Sequence, residues 1–154
     1  MSEDKYRAAL DMAAKQLSYR ALSAKMLRDK LLAKGHDEEA ADYALAWLTE
    51  RSMLNDELFA ESVVRGYTRK GYGAARIRQM LYAKHIPREL WDEALAELPE
   101  QDDAIDAFLQ KRFRGRQPDC TEIRRAADAL LRRGHAWGDI RRALERYDPD
   151  LPEE

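Results

Sequence analysis

The chain has 154 residues, with 27 Lys and Arg against 29 Asp and Glu, a formal charge of -2, and 45% hydrophobic residues. That balance excludes a uniformly cationic coat for naked nucleic acid and suits small helical units with much surface. No run approaches the roughly 18 apolar residues of a membrane span, MSEDKYRAAL lacks the apolar stretch of a secretory signal, and the single cysteine, Cys120, excludes an internal disulfide. A cytoplasmic protein without membrane contact is expected.

Glycine and proline break the chain into segments of helical periodicity, and no stretch alternates with period two. In the first, LSAKMLRDKLLAKGHDEEAADYALAWL, Leu27 and Leu31 share one helix face. Asp37 then reads as an N-cap followed by two glutamates that suit the helix dipole, with Ala44, Leu45 and Leu48 on the next helix. Further along, Phe59, Val63 and Tyr67 fall at i, i+4, i+8, and Ala74, Ile77 and Leu81 at i, i+3, i+7. Pro87 suits the first turn of a third helix, whose inner face is Leu90, Trp91, Ala94, Leu95 and Leu98.

A shift of 50 places Leu27 on Ile77, Leu31 on Leu81, Lys34 on Lys84 and Leu48 on Leu98. A shift of 49 the other way brings Leu130, Arg133, Gly134, Ala143, Leu144 and Tyr147 onto Leu81, Lys84, His85, Ala94, Leu95 and Leu98. The reading is all-α: a tandem array of three three-helix repeats at 5–54, 55–98 and 99–148, with a tail at 149–154. One such unit has a marginal core alone, so stacking into an elongated, curved body is expected, with long surfaces and no deep pocket.

Charge runs in blocks along this array. Residues 36–62 sum to -7, residues 63–88 to +7 with no acid, and residues 89–106 to -8, after which Lys111, Arg112, Arg114 and Arg116 add +4. Blocks this long make surface patches, and patches meet charged partners. Arg65 and Arg69 share a helix face at i, i+4, where like charges destabilise an isolated helix by a few tenths of a kcal/mol. A bound anion removes that cost. Arg76 and Arg78 flank their apolar stripe about 200° apart. Repeat equivalence pairs Arg65 with Arg114 and Arg76 with Arg125, so a basic ridge across repeats is expected.

Other residues read as structural. Gly71 and Gly73 permit a sharp turn over Tyr72; the functional alternative is that backbone N–H groups beside Lys70 cradle a phosphate. Gly66 and Gly115 both look like helix-interior glycines, which implies close helix approach or a helix end. Trp91 belongs to the core and Trp137 to a partly exposed helix start. His36, His85 and His135 recur just past each second helix, positions that an extended array keeps apart, so no metal site is expected. No CxxC, HExxH or GxSxG pattern occurs, and GYGAAR follows a helix and lacks the P-loop lysine and hydroxyl. No catalytic residue, cofactor or enzyme activity is expected.

The run LNDELFAESVVRGYTRKGYGAARIRQMLYAKHIPRELWDEALAEL resembles the signature of the RecX family of bacterial RecA regulators. Its parts are Leu54, Asn55-Asp56, Phe59-Ala60, Arg65, the turn glycines Gly71 and Gly73, Arg76-Ile77-Arg78 and Lys84. RALSAKMLRDKLLAKG resembles the family's first repeat; Asn55 replaces a usual acid and Ser52-Met53 a common glycine-tyrosine. The resemblance implies an all-helical fold of three three-helix repeats and binding in the groove of the RecA filament on single-stranded DNA. It also implies inhibition of ATPase, strand-exchange and coprotease activities, and direct binding of single-stranded DNA, with double-stranded DNA left open. Contact residues would be Arg65, Arg69, Lys70, Arg76, Arg78, Lys84, Arg114 and Arg125, on a monomer, since no heptad seam asks for a partner copy. The alternatives are a helix-turn-helix DNA-binding protein, against which the acidic third helix ELWDEALAEL stands, and a helical adaptor that never meets nucleic acid.

Overall fold

Capping residues and turn glycines set the helix limits in the computed structural model, which describes residues 2–96, 98 and 101–151. The helices follow in threes. First come α1 (Ser2–Tyr19), α2 (Ala24–Ala33) and α3 (Glu38–Glu50). Then come α4 (Asp56–Arg69), α5 (Ala74–Ala83) and, after a 3-10 turn at Arg88–Leu90, the short α6 (Trp91–Leu95). Last are α7 (Gln101–Phe113), α8 (Cys120–Arg132) and α9 (Trp137–Leu144). No strand occurs among the described residues, so the chain is all-α as read. The far side of the repeat boundary expected at 98/99, residue 99, and the end of the expected tail, 152–154, lie outside the described residues.

By packing, the described residues up to 62 together with 81–92 form one compact unit, and 63–80 with the described residues from 93 onward form another, the divisions falling within α4 and α5. In the first unit α1 lies chiefly on α3, around a core of Ala9, Ala13, Leu27, Leu31, Ala44 and Leu48. Alanines on both helices allow that close approach. Asp37 caps α3 as expected, accepting from the Ala40 N–H at 2.8 Å. That N–H, and then the Lys5 ammonium 2.9 Å away, hold the Asp37 carboxyl below its ordinary pKa. Sequence reading missed Ser23, which is fully buried: its hydroxyl caps α2 at Met26 N and donates to Lys84 O at 2.7 Å.

The second unit centres on Ile105, Leu109, Phe113, Ile123, Leu130, Ile140 and Leu144. Asp119 and Glu122 close a capping box at the start of α8, and Phe113 meets Tyr147 edge-on at 5.0 Å. Gly115 is not in a helix interior: it follows the end of α7 with φ 76°, just after Arg114 at φ 51°. Its glycine therefore serves a helix end. Pro87 likewise precedes the 3-10 turn instead of standing inside an α-helical first turn, and α6 stops at Leu95.

One helix ending recurs at the repeat spacing. After α2, α5 and α8 the N–H groups of His36, Ile86 and His135 return to the carbonyls of Leu31, Leu81 and Leu130, at 3.0, 3.1 and 3.1 Å. The residue before each return bond is left-handed: Gly35, His85 and Gly134. Thus His85 stands where the other two copies have glycine, and His36 and His135 lie one residue later in register than the reading supposed. Ser52 ends α3 in the same way at φ 57°, with Met53 N–H donating to Leu48 O at 2.9 Å, so this turn keeps its glycine-like form without glycine. A side chain in that conformation costs about 1 kcal/mol. Ser52→Gly and His85→Gly are each expected to stabilise the first unit by up to about 1 kcal/mol, read as a higher melting temperature by circular dichroism.

Candidate functional site

The basic block around residues 63–88 folds into the end of α4, a glycine turn and the start of α5. Arg69, the last residue of α4, and Lys70 just beyond it suit the helix dipole. Gly71 (φ 88°) then turns the chain, and Tyr72, half-buried, meets Tyr67 edge-on at 5.5 Å. Within the same compact unit this turn packs against the one that ends α8. Gly73 N–H donates to Arg133 O at 2.6 Å and Ala75 N–H to Gly134 O at 3.2 Å. In the other direction Arg133 Nη1 donates to Lys70 O at 3.3 Å and the buried His135 donates through Nε2 to Gly71 O at 2.9 Å. These bonds occupy the Gly73 and Ala75 N–H groups, so those two donors are not free to cradle a phosphate. Gly73 is required for closeness: a Cβ there would lie 2.5 Å from the carbonyl carbon and oxygen of Gly134.

Beside this clamp lies a groove of about 560 Å³, bordered by the end of α4, by α7 and by the α8–α9 turn. Arg69, Lys70, Lys111, Arg112 and Arg133 line it, and no acid does among the described residues. Ala104 and Ala107 also line it, and Phe108 supplies a ring with the Arg133 guanidinium 5.0 Å and the Arg112 guanidinium 5.6 Å from its centroid. Of the expected contact residues the groove gathers two, Arg69 and Lys70. Sequence reading missed Phe108 and Arg133 as site residues. The signal for the α7 wall was Phe108, Lys111 and Arg112 at i, i+3 and i+4, which share a helix face.

The other expected residues lie elsewhere. Arg65 is exposed on α4, Arg78 on α5, Arg125 on α8, and Arg114 in the turn after α7. Arg76 is half-buried, donating to Gln79 Oε1 at 3.0 Å, with its guanidinium 5.9 Å from the Tyr72 ring. Lys84, half-buried, belongs to the first compact unit. None of the eight makes an ion pair with a described residue. By contrast, Arg142 on α9 and Arg146 just beyond its end engage Asp102 at 3.4 Å and Asp106 at 2.6 Å on α7, and Arg142 also engages Asp139. No group of three or more His, Cys, Asp or Glu residues that could hold a metal occurs among the described residues, and no described helix is long and apolar enough to cross a membrane.

Gly66 differs from the turn glycines. It is inside α4, and an added Cβ would meet nothing within 4 Å, so close helix packing does not explain it. Gly66→Ala is expected to stabilise by about 1 kcal/mol, a rise of roughly 3 °C in Tm by calorimetry.

Comparison with known proteins follows the same helices. Residues 9–48 match the family description "RecX, first three-helix domain" and residues 55–95 match "RecX, second three-helix domain". The chain is 40% identical over 131 residues to the Regulatory protein RecX of Stenotrophomonas maltophilia, spanning 83% of this chain and 79% of that protein. It is 32% identical over 126 residues to the Regulatory protein RecX of Vibrio parahaemolyticus, spanning 80% of this chain and 81% of that one. The fold is that of the crystal structure of RecX from Lactobacillus salivarius, with a TM-score of 0.83 at 22% identity over 96% of this chain and 99% of that one.

Proposed function

The chain belongs to the RecX family, and on that footing we propose that it regulates RecA by binding RecA filaments on single-stranded DNA, with no catalysis of its own. Binding inhibits the ATPase, strand-exchange and coprotease activities. The residues proposed to touch filament or DNA are Arg65, Arg69, Lys70, Arg76, Arg78, Lys84, Arg114 and Arg125, and the protein acts as a cytoplasmic monomer. What carries the reading is the pairing pattern of the cations. Arg142 on α9 and Arg146 just beyond it are matched to carboxylates on α7, whereas the arginines of α4, of α5 and around the groove make no ion pair with a described residue. Cations without carboxylate partners favour an anionic ligand, and a filament offers both protein carboxylates and DNA phosphates.

The helix-turn-helix alternative is weakened by α6. That helix has five residues, and Glu89, Asp92 and Glu93 around it are exposed, a poor fit to a major groove. ATP hydrolysis by RecA on single-stranded DNA tests the proposal. Hydrolysis is expected to fall as the protein is titrated in, and an unchanged rate at saturation would reject filament inhibition.

A further inference from the structure

Phosphate attraction alone leaves one feature of the groove without a role. Cations without an acid suit any anion; an aromatic ring with two guanidinium groups within 6 Å of its centroid suits something flat as well. Phe108 is half-buried, so its ring is open to the groove on part of its surface. The Arg133 guanidinium is 5.0 Å from the ring centroid, and its Nη1 also donates to Lys70 O. An aromatic ring and a guanidinium side by side are the groups on which unstacked bases are held. Lys70 and Lys111 line the same groove and supply cations for the phosphates that flank a base. The volume, about 560 Å³, is within the range of small-ligand sites, roughly 300–1,000 Å³.

We infer that this groove is a single-nucleotide subsite: one unstacked base of a single-stranded nucleic acid lies on the Phe108–Arg133 surface, and its flanking phosphates meet Lys70 and Lys111. The inference rests on the proposal that the chain meets nucleic acid, and it adds what the site selects. A duplex keeps its bases stacked and offers only phosphates. An acidic peptide offers carboxylates to the lysines and nothing flat to the ring.

Fluorescence anisotropy with the full chain decides it. The probes are a labelled thymidine oligomer, an oligomer of the same length made of abasic sites, the corresponding duplex, and a polyglutamate peptide. The thymidine oligomer is expected to bind about tenfold more tightly than the abasic one. Phe108→Leu should abolish that difference by weakening only the thymidine oligomer, while Phe108→Trp keeps it. Lys111→Gln should weaken both oligomers alike and lower the salt slope by about 1. Equal binding of the two oligomers by the unaltered protein overturns the subsite while leaving filament regulation and phosphate contact standing, and this comparison needs no variant to fold. Polyglutamate binding as tight as the thymidine oligomer overturns it in favour of an acidic peptide. Failure of every oligonucleotide to bind removes both the subsite and the direct DNA contact proposed above.

Discussion

Gly73→Ala is expected to destabilise the second compact unit by about 3 kcal/mol, roughly 10 °C in Tm. The added methyl would sit 2.5 Å from the Gly134 carbonyl and 2.6 Å from His135 N. Both neighbours are backbone, so neither can rotate aside as a side chain would. Relief requires the two turns to part, which breaks the bonds from Gly73 N–H to Arg133 O and from Ala75 N–H to Gly134 O, each worth about 1 kcal/mol. Gly134→Ala is expected to be at least as damaging. Its methyl would overlap the backbone of Arg76, and its φ of 91° is a conformation that L side chains rarely adopt. Thermal unfolding checks both variants, and an unchanged melt for Gly73→Ala would mean that the turns do not touch. Because the clamp holds Arg133 and Lys70 at the groove, oligonucleotide binding should decline alongside stability.

The second large effect is on binding and should leave stability almost untouched. Arg65 and Arg69 are exposed, lie on one face of α4 and have no carboxylate partner among the described residues. Replacing both with Glu is expected to change stability by less than about 0.5 kcal/mol. Affinity for single-stranded DNA and for RecA filaments should nevertheless fall by about tenfold or more, and the slope of log affinity against log salt should become shallower by about 2. Calorimetry and a salt titration measure the two halves separately. A variant with full affinity and an unaltered slope would favour the adaptor reading, in which nucleic acid plays no part.

Much of the helical framework could be read from periodicity and punctuation. The stripes of Leu27 with Leu31 and of Ile77 with Leu81 are buried as their spacing required, Asp37 caps α3, and Trp91 is in the core with its Nε1–H donating to Ile86 O at 3.0 Å. Such features depend on neighbours within about one helical turn, which the sequence lays side by side. Helix ends were read less well where a side chain stands in a glycine position: Ser52 and His85 adopt left-handed backbone that their residue types disfavour, each followed by a return bond, from Met53 N–H to Leu48 O and from Ile86 N–H to Leu81 O. The sequence shows least where distant segments meet. Arg133 could be aligned with Lys84, but nothing local placed it beside Lys70 and Phe108. Gly71 and Gly73 signalled a turn, yet what the turn faces is fixed by Gly134 and His135, some 60 positions further on. Hence the groove was half legible: its α4 and α7 walls lie in basic runs, and its third wall comes from the α8–α9 turn.

That separation also sets an order of events while the chain is being made. Lys70 and Arg133 are 63 positions apart, Gly71 and His135 are 64, and Ser23 and Lys84 are 61. Closing loops of this length costs about 4 kcal/mol of chain entropy, so each fastening forms only after the local helices it joins. At roughly 5–20 residues per second, the glycine turn leaves the ribosome roughly 3–12 s before the segment that covers it. Throughout that interval its N–H groups and the Lys70 and Gly71 carbonyls face water, and the nascent chain carries the α4 cations before their groove has been assembled.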